Sequence, residues 1–318
     1  MNRSTGIAGC ALALLLCASA CAPPAVQRQQ MQSTWQWPLD EPQVVLTEML
    51  KLSGRPDSDG ENAARTGRLH GVAWLDEDLL VTDPEGHRLL RLAADGKLTF
   101  SDDGLLNGPV GIAACREGIV VSDGGSGRVA VLNQDLSLDR WLVEGLNRPT
   151  GICCAPDGIW VVETGAHAIM AVTWDGAQRR LGGRGGEPGF FNFPTAIALY
   201  GDYLVVGDTL NFRIQILDRH SGDPVTAFGR LGDGAGDMPR IKDLNVDARG
   251  RVWVTDAHLD TVSLFQMNGQ RLMTLGGRGD RPAEFSFPAG IASRPDGKVA
   301  VVDALNRRIQ VFQTVGEP

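Results

Sequence analysis

Apolar residues along this chain fall into short runs that recur at a nearly fixed distance. One phrase repeats: a small residue, an apolar residue, a turn, an apolar run, then an acidic residue. The copies run Gly71-Val72 to Asp83, Gly111-Ile112 to Asp123, Gly151-Ile152 to Glu163, Ala196-Ile197 to Asp208, Asp243-Leu244 to Asp256 and Gly290-Ile291 to Asp303. Their acidic residues lie 40, 40, 45, 48 and 47 residues apart. A sustained period of that size is the signature of a repeat architecture.

Each copy divides into short strands. In the last copy, Pro288 to Ala292 reads as a first strand and Pro295-Asp296-Gly297 as a tight turn. There Pro presets φ and Gly supplies the positive φ. Val299 to Val302 is a second strand, Asp303 to Arg307 a loop, and Arg308 to Phe312 a third strand. Earlier copies carry a fourth, such as Arg271 to Leu275. The second strands, for example Ile119-Val120-Val121 and Ile159-Trp160-Val161-Val162, are apolar at successive positions. A sheet with one wet face alternates, so these strands are expected to be dry on both sides, as in sheets stacked around an axis.

Two copies carry more than a pattern. Pro194-Thr195-Ala196-Ile197-Ala198, continuing through Asp208-Thr209-Leu210-Asn211-Phe212-Arg213-Ile214-Gln215-Ile216, resembles the NHL repeat. So does Pro288 to Phe312, with Asp303, Asn306, Arg308 and Ile309-Gln310-Val311-Phe312. The resemblance covers about Arg68 to Phe312, and the remaining copies are degenerate. It implies an all-β, six-bladed β-propeller. The last copy lacks a fourth strand, which leaves an exposed edge. Gln43 to Leu50 can supply it and close the ring; a short amphipathic helix is the competing reading of that segment.

The first residues differ from the rest. Arg3, an apolar stretch from Ile7 to Cys17, then Ala18-Ser19-Ala20-Cys21 are ordered as a secretory signal peptide. Residues 1–20 are therefore expected to be removed. Ala18-Ser19-Ala20-Cys21 resembles a bacterial lipobox, which implies lipidation at Cys21, although plain cleavage after Ala20 is the alternative. Ala22 lacks the Asp of an inner-membrane retention signal, so an outer-membrane lipoprotein facing the periplasm is expected, with a soluble periplasmic or secreted protein as the alternative. Residues 21–42, rich in Pro and Gln, read as a flexible tether, and 43–318 as the propeller. Cys115, Cys153 and Cys154 then remain. A disulfide is permitted in that compartment, but all three are expected to be small buried hydrophobes.

Composition narrows the partners. Of 318 residues, 43% are hydrophobic and 21% charged, which is a folded body. The net charge of −8 without a basic stripe argues against nucleic acid, and leaves the lipid as the only contact with a membrane. Gly182-Gly183-Arg184-Gly185-Gly186 does not open a helix and is read as a blade connection. A monomer is expected.

Candidate chemistry lies where the repeats depart from one another. Asp83/Arg88, Asp123/Arg128, Asp208/Arg213 and Asp303/Arg308 recur, and each Asp is expected to bind its own loop and its own Arg. Copy three instead places His167 in that loop, and copy five His258. The residue before each conserved small position approaches the channel mouth: His70, Val110, Thr150, Thr195, Lys242 and Ala289, with Asp243 replacing a Gly. His70, Thr195, Lys242, Asp243, His167 and His258 are the ligand-binding candidates. Leu69-His70-Gly71 resembles one element of the zinc-binding peptidyl-hydroxyglycine lyases, but Thr195 and Ala289 are not His, and a zinc site needs three protein ligands. Gluconolactonase-like propellers use a calcium set that the inner strands here lack, apart from Asp243. The expected function is a non-catalytic, envelope-anchored scaffold that engages an envelope protein, peptide or small ligand without a cofactor. The alternative is a metal-assisted lyase or hydrolase with its site at the channel mouth, built on His70, Asp243 and Lys242 around a divalent metal.

Overall fold

The computed structural model describes residues 26–31, 36–37, 44–52, 67–234 and 236–315. The segment read as a signal peptide and Cys21 lie outside them. The described chain folds into six antiparallel sheets. Five are four-stranded and follow chain order from an inner strand outward, as in the third blade: Pro149–Ala155, Gly158–Glu163, Ala168–Thr173 and Gln178–Gly182. The sequence pattern therefore translates into six blades of a propeller.

The second strands are buried along their continuous apolar runs, with Tyr203 at the start of the fourth exposed; Gly158–Glu163 has no exposed position. Six apolar clusters result, one at each interface between blades. The interface of blades 3 and 4, for example, packs Trp160, Val162 and Ile169 against Phe191, Ile197 and Leu204.

The sixth blade draws on both ends of the chain. Its own strands are Pro288–Ser293, Lys298–Asp303 and Arg308–Thr314, and Val44–Leu52 pairs antiparallel with the last of these, Val44 opposite Thr314 and Lys51 opposite Arg308. Leu46 and Leu50 are fully buried in that strand. It does not form a helix, because both of its edges find strand partners. Val26–Gln30, inside the stretch assigned to the tether, pairs with Val44–Leu52, and Gln36–Trp37 pairs with Val44 and Val45. The blade thus extends further into the N-terminal region than the sequence pattern alone placed it. The extra strand covers an edge that would otherwise stay open.

At the axis, the inner strands approach their neighbours too closely for a side chain at the conserved glycines. A Cβ on Gly71 would lie 2.4 Å from the Val110 carbonyl oxygen, and one on Gly111 would lie 2.2 Å from that of Thr150. Hydroxyls of the second strands join the blades there. Thr82 accepts the Gly71 N–H at 2.7 Å and donates to Val110 O of the next blade at 2.8 Å. Ser122 and Thr255 make the same bridge for blades 2 and 5. In the sixth blade Val302 stands at that position, and the Gly290 N–H donates directly to His70 O of the first blade at 2.7 Å.

Gly111→Ala should cost about 1–3 kcal/mol of stability, read as a lowered urea midpoint, the usual cost of forcing a methyl into a closed space. Gly186, with open space around its Cα, is the control, and Gly186→Ala should be neutral or stabilising by up to about 1 kcal/mol.

Candidate functional site

The repeat places three successive layers of residues at one end of the axis. The outermost positions are Arg68, Gly108, Arg148, Phe193, Arg240 and Phe287, each three residues before the conserved small position. Below them stand His70, Val110, Thr150, Thr195, Lys242 and Ala289. The third layer is Gly71, Gly111, Gly151, Ala196, Asp243 and Gly290.

The repeated acid of each blade fixes the outermost layer. Asp83, Asp123, Glu163, Asp208, Asp256 and Asp303 are all buried. They accept backbone N–H groups from Gly67, Asn107, Asn147, Asn192, Arg240 and Ser286 respectively. Each of these is a rim residue or its immediate predecessor. In blades 1, 4 and 6 the acid also takes its own Arg, at 3.3, 2.9 and 2.7 Å. The expected Asp123/Arg128 pair is not made. Asp123 takes Ser126 instead, and Arg128 lies over the Trp141 ring, 4.4 Å from its centroid. Glu163, whose blade has Ala168 in place of Arg, pairs with Arg180 from the outer strand at 2.7 Å.

The axial cavity has a volume of about 280 Å³, and His70, Thr195, Lys242, Asp243, Asn245 and Cys153 are among its lining residues. Four of the six candidate residues therefore meet. His167 and His258 do not line it. His167 is buried in its loop, where Nδ1 accepts the Phe193 N–H at 3.1 Å and the ring meets Phe193 edge-on. His258 is exposed, and its N–H donates to Asp256.

Asp243 stands where other blades have Gly or Ala, and its carboxylate reaches into the next blade. Oδ1 accepts the N–H of Leu244 at 2.9 Å, and Oδ2 that of Ile291 at 3.1 Å. Asn245 repeats the device two residues on, accepting the Ser293 N–H at 3.1 Å. Burial pushes the Asp243 carboxyl up to about 7, against the opposing pull of its backbone donors and Lys242. Burial also lowers the Lys242 amine, together with Arg240, Arg148 and Arg68. His70 is driven down to about 3 by burial and then by Lys242, so it is neutral, with a hydrogen bond to the Val110 carbonyl.

Sequence patterning did not single out the rim. Arg68, Arg240 and Lys242 all approach the Phe287 ring, at 5.7, 5.8 and 5.3 Å from its centroid. Aligning the repeats three residues before the conserved small position would have brought Arg68, Arg148 and Arg240 together. At the opposite end of the channel, Cys115 and Cys154 form a disulfide with Cα atoms 5.5 Å apart. This corrects the expectation of three buried thiols: Cys115 and Cys154 end the inner strands of adjacent blades, which converge on the axis. Cys153 stays free, its thiol pushed up to about 12 by burial. Among the described residues, no group of three His, Cys, Asp or Glu lies close enough to hold a metal ion. The donors at the mouth, His70 and Asp243, do not fit a three-ligand site.

Blades, axial bridges and a repeated acid define a six-bladed β-propeller. No protein-family profile matches the chain. Over 145 residues it is 26% identical to E3 ubiquitin-protein ligase TRIM32 of Mus musculus, covering 42% of this chain and 21% of that protein. Over 114 residues it is 32% identical to E3 ubiquitin-protein ligase NHLRC1 of Homo sapiens, covering 35% of this chain and 27% of that one. These matches span about a quarter or less of the curated relatives. Among solved structures, a gluconolactonase from Xanthomonas campestris superposes with a TM-score of 0.64 at 17% identity, over 93% of this chain and 96% of its own. At that identity the likeness is one of fold.

His70 is harder to protonate in the folded chain, so the stability tied to its neutral form is complete above about pH 6.5 and is lost as pH falls towards 3. Asp243 is easier to protonate when folded, so its contribution is lost as pH rises from about 4 to 7. The stability gained between pH 5 and pH 7.5 should shrink in His70→Gln and grow in Asp243→Asn. Each change should be on the order of 1 kcal/mol, discounted because both side chains face the cavity. Urea unfolding at the two pH values measures both. Separately, Cys115→Ser should cost about 2–4 kcal/mol, and reductant should then have no further effect on its melting temperature.

Proposed function

We propose that this chain is an envelope-anchored binding scaffold without catalysis of its own, presenting the channel mouth to a protein, peptide or small ligand. The observation that carries this reading is the way the polar groups at the mouth are used. Both oxygens of Asp243 are occupied by backbone N–H groups, and the Thr195 hydroxyl meets that of Thr209 at 2.7 Å. Arg68, Arg148 and Arg240 stand exposed at the rim, and their guanidinium groups suit recognition rather than proton transfer. The sequence relatives support a binding role for propellers of this repeat type. The E3 ligase activity in their names belongs to proteins far longer than the matched stretch.

Anchoring rests on the order Arg3, apolar stretch and Ala18-Ser19-Ala20-Cys21, and the Cys115–Cys154 disulfide supports an oxidising compartment. In this reading residues 1–20 are removed, Cys21 carries lipid, and the propeller faces the periplasm from the outer membrane as a monomer. Intact-mass analysis of the mature protein should find Cys21 at the N-terminus with added acyl mass. An unmodified Cys21, or a different first residue, sinks the anchoring.

A metal-assisted lyase or hydrolase at the mouth is the second reading; Asp243 on the axis favours it, while a donor set short of three protein ligands among the described residues stands against it. Metal analysis separates the two. Stoichiometric zinc or calcium, lost in His70→Ala, would favour the enzyme. An envelope partner retained by the metal-free wild type and released by Arg148→Glu/Arg240→Glu favours the scaffold.

A further inference from the structure

We propose that the mouth of the channel is an anion site, in which Arg68, Arg148, Arg240 and Lys242 bind the phosphate or carboxylate groups of a small organic polyanion. This rests on the mouth being the binding surface and names the chemistry of what it takes.

Placement comes first. Arg68, Arg148 and Arg240 occupy one repeat position in blades 1, 3 and 5, so they alternate around the rim, with Gly108, Phe193 and Phe287 between them. Lys242 stands one layer below, in the blade of Arg240. Phe287 ties three of the four charges together, since Arg68, Arg240 and Lys242 approach its ring centroid at 5.7, 5.8 and 5.3 Å. Their backbones are held as well: the Arg240 N–H donates to Asp256 at 2.8 Å, the Arg68 N–H to Glu85 at 3.0 Å, and Arg148 O accepts the Thr164 N–H at 3.1 Å. The cations are thus gathered before any ligand arrives.

Charge comes second. The whole protein is acidic, at −8, yet four cations meet here. Among the described residues no carboxylate forms an ion pair with Arg148, Arg240 or Lys242, and Arg68 has only the exposed Glu85 at 3.9 Å. The depressed Lys242 amine reflects mutual repulsion as well as burial. An anion above Lys242 relieves that repulsion, and guanidinium groups offer planar pairs of donors suited to phosphate and carboxylate. Asp243 lies deeper and opposes a second negative group, so the anion is held at the rim.

The test is calorimetric titration of the full-length protein in detergent with sodium pyrophosphate and, separately, with citrate. At low salt one site is expected, for pyrophosphate if the natural ligand is a phosphate and for citrate if it is a carboxylate. Arg148→Gln and Arg240→Gln, both at rim positions, should each weaken binding about tenfold or more. Lys242→Gln should abolish it, and raising the salt to about 0.5 M should weaken it strongly. Near-UV circular dichroism checks that each variant keeps its fold. No binding of either anion at millimolar concentration overturns the proposal, as does binding that both Arg variants leave within twofold. If the anions fail but an envelope partner is still released by Arg148→Glu/Arg240→Glu, the scaffold reading stands and the anion assignment falls. If the anions bind at the rim while no envelope partner depends on it, the anion assignment stands and the protein-scaffold reading falls.

Discussion

Six sheets can share one axis only if their innermost strands touch, and that contact governs the rest of this protein. Glycine at the point of contact lets the Gly71 and Gly111 backbones sit against the neighbouring carbonyls, where a methyl group would collide. Contact alone would strand buried polar groups, because the inner strand of one blade has no ladder partner in the next. Hydroxyls solve this. Thr82, Ser122 and Thr255 each take an N–H from their own blade and give their proton to a carbonyl of the next. Blade 5 replaces a glycine with Asp243, whose Oδ2 accepts the Ile291 N–H of blade 6, while Asn245 Oδ1 accepts that of Ser293. The seam is therefore polar and satisfied at the axis, and apolar farther out, where the six clusters lie.

The same repeat that builds the seam also builds the rim. A buried acid in every blade holds the backbone of the loop that arrives from the previous blade, so the residue three before the conserved small position is presented at a fixed height. Copies four and six complete this arrangement with Asn211 or Asn306, an Arg and a Gln, all directed at the acid. Rim residues are then free to vary without touching the core. Three are arginine, and their clustering gives an acidic protein one cationic opening. Net charge describes the whole surface, whereas recognition responds to the local field.

Much of the fold was legible in the sequence because it is written six times. The period, the two-sided apolar strands and the short last copy each have one physical reading, and the strand at Val44–Leu52 lies where the open edge required one. The site was less legible. His70, Thr195, Lys242 and Asp243 could be placed because each breaks a repeated position. His167 breaks one too, but its ring serves its own loop, and a departure from pattern does not reveal which way a side chain turns. Arg68, Arg148 and Arg240 were missed because Arg on a surface loop carries little information singly; their shared repeat position, three before the small residue, is the signal that links them. The Cys115–Cys154 bond depends on two inner strands converging at one end of the axis, a distance that sequence separation does not encode.

The closing strand has a consequence for how the molecule is made. Val44–Leu52 belongs to the same sheet as Arg308–Thr314, so nearly the entire chain must be synthesised before this early segment meets its partner. Pairings so distant along the chain form slowly. Until then, the edge of this strand opposite Val26–Gln30 stays open, with Leu46 and Leu50 uncovered. That interval is when a holdase would have its greatest effect on yield.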